Sequence, residues 1–313
     1  MNVPNTKPQP AIRTGDGRAW RRIRRFLQEL PAWMLILPSI VFFTVFSWQP
    51  LISGFILSFQ QTKGYDAVKF IGLQNYIDVM SNSVFQQTFI NTIFYVLWSI
   101  VIGFAVPIII AILINEMIHL QTFFKFSVYF PSMVPGIAAA LLWVFIFDPG
   151  PSGLLNMLMN KLGLASAAWM QNPDWTIMLI VITMTWRGFG TSVILYLASL
   201  QGVNPELYEA ASIDGAGIWK RVWHITLPQI SPIISILLVL QIIGVFQVMY
   251  EPLTMTEGGP NNASMSLMLQ SYFYAFRYFE AGRSLAVGVI TFVFLLLFTI
   301  IYFKLNKKFN GDD

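Results

Sequence analysis

The chain has 313 residues, of which 56% are apolar and only 11% are Asp, Glu, Lys or Arg. Soluble globular domains carry about 25% charged residues. This chain therefore has too little charge to cover a solvated surface, and its mean hydropathy of +0.62 leaves an integral membrane protein as the class. With no Cys, disulfides, thiolate metal sites and cysteine nucleophiles are excluded, and His119 and His224 lie too far apart in sequence to suggest a metal site.

Crossing the hydrocarbon core takes about 20 mostly apolar residues in a helix. Five stretches at least that long lack any charged residue: 30–62, 79–115, 126–147, 222–250 and 284–303. A sixth, 175–205, is interrupted only by Arg187. Trimmed at turn signals, they predict an all-α polytopic membrane protein with six transmembrane helices, at 32–58, 89–114, 125–147, 177–200, 229–250 and 284–304. The runs are too long, and alternate too little, for barrel strands.

Lys and Arg near the helix ends set the orientation. Seven basic residues, Lys7, Arg13, Arg18, Arg21, Arg22, Arg24 and Arg25, precede the first span. With that segment in the cytoplasm, thirteen basic residues fall inside and five outside, so both termini are expected to be cytoplasmic. The leader is not read as a signal peptide, because its basic region and apolar run are too long and no small-x-small site follows. It reads as an anchor to anionic lipid, each basic residue contributing about 1 kcal/mol, and not as a nucleic-acid site. The expected organisation is an Arg-rich segment 1–30, a transmembrane domain 31–305 and a cytoplasmic tail 306–313.

The outer loops have patterns of their own. Residues 59–88 place Phe70, Ile71, Leu73, Tyr76, Ile77 and Val79 at helix-compatible spacing, and Leu154, Leu155, Leu158 and Leu162 predict a short amphipathic helix after the turn signal at 148–153. Thr256-Glu257-Gly258-Gly259-Pro260-Asn261-Asn262 reads as a shaped turn. No internal repeat supports an inverted-repeat carrier. Pro107, Pro131 and Pro135 are expected to interrupt spans, leaving carbonyls that must be satisfied inside a bundle or a wet cavity.

The most informative loop is 201–228. Asn204 can cap a helix begun by Pro205, and Glu206 and Glu209 sit where the helix dipole favours negative charge. Ala210 and Ala211 leave room for a close approach, and Gly215-Ala216-Gly217 breaks the helix. A second short helix is expected to carry Trp219, Val222 and Trp223 on one face, with Pro228 at the mouth of the fifth span.

Glu209-Ala210-Ala211, Gly215 three residues later and Ile225-x-Leu227-Pro228 after nine more resemble, without a gap, the EAA signature of binding-protein-dependent ABC importer permeases. Asp214-Gly215-Ala216 fits its common form. Phe70-Ile71-Gly72-Leu73-Gln74-Asn75-Tyr76, Phe147-Asp148-Pro149 with Gly153-Leu154-Leu155-Asn156, and the Thr-x-Gly-Gly-Pro turn at Thr256 resemble the carbohydrate branch, the maltose and glycerol-3-phosphate type. The resemblance spans about residues 32–304 and implies the type I ABC importer permease fold. It also implies four kinds of partner: a second similar permease, two ATPase subunits, an external solute-binding protein and a sugar or sugar-derivative substrate. ATPase coupling would fall to Glu206, Glu209, Ala210, Ala211, Asp214, Gly215 and Ala216, with Asp214 either touching the partner or capping the second helix. No Gly-x-x-x-x-Gly-Lys-[Ser/Thr] loop is present, so ATP and magnesium are expected on the partner ATPase, with no cofactor, metal or catalytic residue on this chain.

For the translocation path, ionisable groups within the membrane are the first place to look. Arg187 either attracts an anionic sugar or sits in the interior, bonded to carbonyls or to the paired permease. Asn91 and Tyr95 on the second span, and Gln241, Gln247 and Tyr250 on the fifth, are the other polar candidates. Gln241 and Gln247 share a face only if the helix is kinked. Trp143 and Trp186 can stack on a sugar ring or serve as interfacial anchors, and His224 reads as a polar surface residue. A non-sugar solute is disfavoured by the loop motifs, and an ATP-independent carrier by the intact EAA loop.

Overall fold

A computed structural model describes the backbone of residues 17–310 and the side chains of 28–306. The side chains of the Arg-rich leader and the end of the C-terminal tail lie outside the described residues. Among the described residues, five helices are long and apolar enough to cross a membrane: Gln28–Leu57, Ser83–Glu116, Pro173–Leu200, Ile218–Phe246 and Ala281–Asn306. A bent pair, Gln121–Met133 with Gly136–Ile146, makes six if it is counted as one span.

The chain divides into two units, the first ending at Ile56 and the second starting at Leu57. The first unit is the first span, helical through Pro31 and Pro38 and widened to a π turn over Thr44–Trp48. Its apolar side chains, Trp33, Leu35, Phe42 and Phe46 among them, are exposed in the single chain.

In the second unit two of the spans start where a side chain takes up a free backbone N–H. Asn82 accepts from Val84 N at 2.8 Å and opens the second span. Asn172 accepts from Asp174 N at 3.0 Å and, followed by Pro173, opens the fourth. The fourth span carries much of the core: Ile177, Ile180 and Val181 pack with Tyr95, Phe147 and Val245, and further along Val193, Tyr196 and Leu197 pack with Ala111, Ile114, Ile230 and Leu237. A third cluster joins Phe85, Ile242, Phe246, Leu267 and Val287.

As expected at Pro131 and Pro135, the third span is interrupted: it bends by 97°, because Val134 and Pro135 are extended between the two helices; a proline disfavours the helical region for the residue before it. Two other expectations change. Pro107, by contrast, does not interrupt the second span. The helix runs through it, with a π turn at Ser99–Phe104 just ahead, where the missing Pro107 N–H would leave the Gly103 carbonyl unbonded. Finally, Phe70 and Ile71 are not helical. Gln60–Lys63 and Asp66–Phe70 form an antiparallel hairpin, and the helix begins later, at Gln74–Ser81. The short helix in the next such loop does form, at Leu154–Lys161.

Candidate functional site

Two places in the second unit hold the residues singled out from sequence. One is the loop between the fourth and fifth spans. Asn204 Oδ1 accepts from Glu206 N at 3.0 Å and Pro205 is the first helical residue, so the helix Pro205–Ile213 is capped as its sequence predicts. It stops at Gly215, whose φ of +75° lies in the left-handed region that glycine adopts without Cβ strain. There Gly215 N donates to Ser212 O at 3.1 Å and Ala216 N to Ala211 O at 2.8 Å, closing the last free carbonyls.

The residue that caps the following helix is Gly217, with no side-chain bond, so Asp214 does not serve as that cap. Nor is the following helix separate. Ile218 already begins the fifth span, which runs to Phe246 through a π turn at Val222–Thr226, and Pro228 lies inside it. Tyr208 and Thr226 share a hydroxyl–hydroxyl bond of 3.0 Å, and Arg221 Nη1 donates to Ser212 Oγ at 3.1 Å, fixing the helix to the base of that span. Glu206, Glu209, Ala210, Asp214 and Gly215 are exposed, while Ala211 and Ala216 are half-buried. Beside them Ile213 is 87% exposed and Trp219 78%, with Ile218 and Trp223 also open. His224 is exposed, its Nδ1 3.0 Å from Lys220 O.

The second place is a cavity of about 360 Å³ among the second, fourth and fifth spans. Arg187, Gln241, Gln247 and Tyr250 all line it, with Ser99, Thr185 and Ser192. The helix ends at Phe246, so Gln247 leaves the helical register and reaches the same space as Gln241. Gly103 leaves room for this arrangement: a Cβ there would stand 2.7 Å from Gln241 Nε2 and 3.1 Å from Thr185 Oγ1, so the Gln241 amide would have to shift.

Arg187 Nη2 donates to Glu251 Oε1 at 3.2 Å. Its partner within the chain is thus a side chain and not a carbonyl. Sequence reasoning passed over Glu251, which marks only the end of an uncharged run; a cation within one span and an acid at the end of the next was the available signal. Glu251 is 6% exposed, and an unpaired carboxylate at that depth would be costly.

Asn91 and Tyr95 do not join this cavity. Asn91, 2% exposed, donates from Nδ2 to Asn262 O at 2.7 Å and Met265 O at 3.1 Å. Tyr95 OH donates to Ser264 O at 2.9 Å, and Thr92 Oγ1 accepts from Leu267 N at 3.3 Å. These three side chains hold the turn after the fifth span. Trp143 stands apart too, packed edge-on to Trp186 at 5.9 Å and tilted against Phe147. Asn156, inside another matched motif, serves the backbone of its own loop: its Nδ2 donates to Pro149 O at 2.8 Å and Ala167 O at 3.1 Å.

Apolar helices that break around a polar, ion-paired cavity fit a membrane protein that moves a solute, and an exposed helix lies between two of them. Residues 103–311 match the family described as binding-protein-dependent transport system inner membrane component, and the chain belongs to that family. It is 32% identical over 307 residues to the arabinooligosaccharides transport system permease protein AraP of Bacillus subtilis, covering 97% of this chain and 96% of that one. It is 30% identical over 276 residues to the trehalose/maltose transport system permease protein MalF of Thermococcus litoralis, covering 88% and 93%. Among solved structures it resembles a chain of a bacterial ABC transporter that imports the acidic polysaccharide alginate, with a TM-score of 0.82, 25% identity and coverage of 93% and 99%. The carbohydrate-branch permease fold expected from the sequence is the fold observed.

Proposed function

We propose that this chain is the membrane-spanning half of a sugar importer driven by ATP, paired with a second permease, two ATPase subunits and an extracytoplasmic binding protein in a prokaryotic cell membrane. The observation that carries the reading is the exposed helix Pro205–Ile213, which presents Glu206, Glu209 and Ala210 beside the open apolar side chains of Ile213 and Trp219. Acid, small residue and apolar side chain together make a surface suited to a cleft on another protein. In this reading both termini and this helix face the cytoplasm, ATP is hydrolysed on the partner, and closure of the ATPase pair rocks the spans around the cavity. Sugar as the cargo is supported by the relatives, which carry arabinooligosaccharides and trehalose or maltose by name. The sugar would pass Arg187, Gln241, Gln247 and Tyr250, with Asn91 and Tyr95 as struts behind them.

The test is purification of the complex from the native membrane, with uptake measured in parallel. A second permease and an ATPase should come down with the chain, and Glu209→Lys should abolish uptake while the chain still reaches the membrane. Unchanged uptake in that variant would favour a carrier that works without ATP.

A further inference from the structure

We propose that the cavity selects an uncharged oligosaccharide, and that Arg187 serves there as the counter-ion of Glu251 instead of clamping an anionic sugar. The inference rests on the reading of the chain as a sugar permease and names the chemistry of its cargo. Relatives leave both chemistries open, since one named cargo is neutral and the solved importer carries acidic alginate.

The geometry separates them. Among the described residues lining the cavity, Arg187 and Glu251 are the charged ones, and they face each other at 3.2 Å. Glu251 is nearly fully buried, so it has little water to turn to if the guanidinium leaves. Arg187 is half-exposed to the cavity, but its charge is already balanced by the buried Glu251, so an incoming uronate would bring a second carboxylate beside the first and meet like-charge repulsion in place of a free cation.

What remains to meet a solute is uncharged. Gln241 and Gln247 each offer an amide that both donates and accepts, matching sugar hydroxyls in either sense. Thr185 and Ser192 add hydroxyls, and Tyr250, 60% exposed, adds a ring with a polar tip. The space of about 360 Å³ falls in the range of small-molecule sites, about 300–1,000 Å³.

The experiment is uptake in a strain lacking its own copy of the chain, complemented with wild type, Arg187→Gln, Glu251→Gln and the double variant. Labelled arabinotriose and maltotriose are the uncharged probes, and trigalacturonate the anionic one. Wild type should take up an uncharged probe at least about tenfold faster than trigalacturonate. Each single variant should lose about tenfold or more, and the double variant should recover above both. Trigalacturonate uptake exceeding the uncharged probes, or a double variant as inactive as Arg187→Gln, would overturn the proposal while leaving a sugar importer standing. Uptake of none of the three by wild type would instead remove the sugar reading and this inference with it. If the single variants fail to accumulate, the charge exchange R187E/E251R carries the test, because it restores the pair and should restore uptake of the uncharged probe.

Discussion

The helix Pro205–Ile213 finds its hydrogen-bond partners within eighteen positions of sequence, whereas the turn at 256–267 draws several of its own from the second span, 169 to 175 positions away. Both are stretches that matched the family from sequence. The first is stapled at both ends by its own residues and leaves its outward side chains open. The second puts Glu257, Asn261 and Asn262 at φ of 51°, 47° and 62°, a region that residues other than glycine seldom occupy, and buried side chains of a distant helix hold it there. A locally closed element keeps its own shape while its outward side chains stay free to meet a partner. One held from afar transmits any shift of the second span directly to its turn.

The largest effect that would sharpen this contrast is expected at Asn91. Asn91→Leu takes the side-chain donor from the Met265 carbonyl of the distant turn and leaves Asn262 O with Met265 N alone, at about 1–3 kcal/mol for a buried group left unbonded. It should lower the melting temperature of the detergent-solubilised chain and reduce its amount in the membrane. A melting temperature equal to wild type would show that the turn holds itself. Gly215→Val comes next, since a β-branched residue at φ of +75° is strained by about 1–2 kcal/mol. Here the expected loss is in ATPase co-purification, with the melting temperature of the bundle nearly unmoved; a large fall in melting would mean that this helix too is part of the bundle's cooperative fold. Asn204→Ala removes one cap, at about 1 kcal/mol, and should raise amide exchange in residues 206–208 alone.

The smallest effect is expected at Asp78. Gln74 Nε2 donates to its Oδ1 at 2.7 Å and Arg283 Nη2 to its Oδ2 at 3.0 Å, and the Gln74 bond first, with Arg283 beside it, holds the carboxyl below its usual value. A depressed folded-state value means that the contribution is present above the ordinary carboxylate range near about 4 and is lost as the pH falls through the lower folded value. Because the pair is a third exposed, Asp78→Asn should lower stability by only about 0.5 kcal/mol at neutral pH. The difference from wild type should shrink as the pH falls below 4. A difference that does not change with pH would place the effect in packing, not charge.

Much of the fold was legible because its signals are local. Long uncharged runs gave the spans, and Asn204-Pro205 and Gly215 gave both ends of the exposed helix, each through backbone bonds that close within a few residues. The hairpin was missed because Phe70 and Ile71 fit a helical spacing as readily as a strand. The second short helix of the 201–228 loop was read as separate because Pro228 suits a helix start, yet the span runs straight through it from Ile218.

The sequence by itself determined the membrane class, the family and the exposed helix with its caps, since apolar content and capping depend on residues near one another in the chain. Tertiary structure alone decided which polar residues within the membrane face the cavity. Asn91 and Tyr95 were equal in sequence to Gln241 and Gln247, and became struts only because the distant turn came to rest against them. Arg187 became one half of an ion pair because Glu251, 64 positions on, was brought back beside it at the end of the fifth span. In a medium without water a polar side chain must bond to whatever the fold puts next to it, so its role is fixed by the path of the chain and not by its neighbours in sequence.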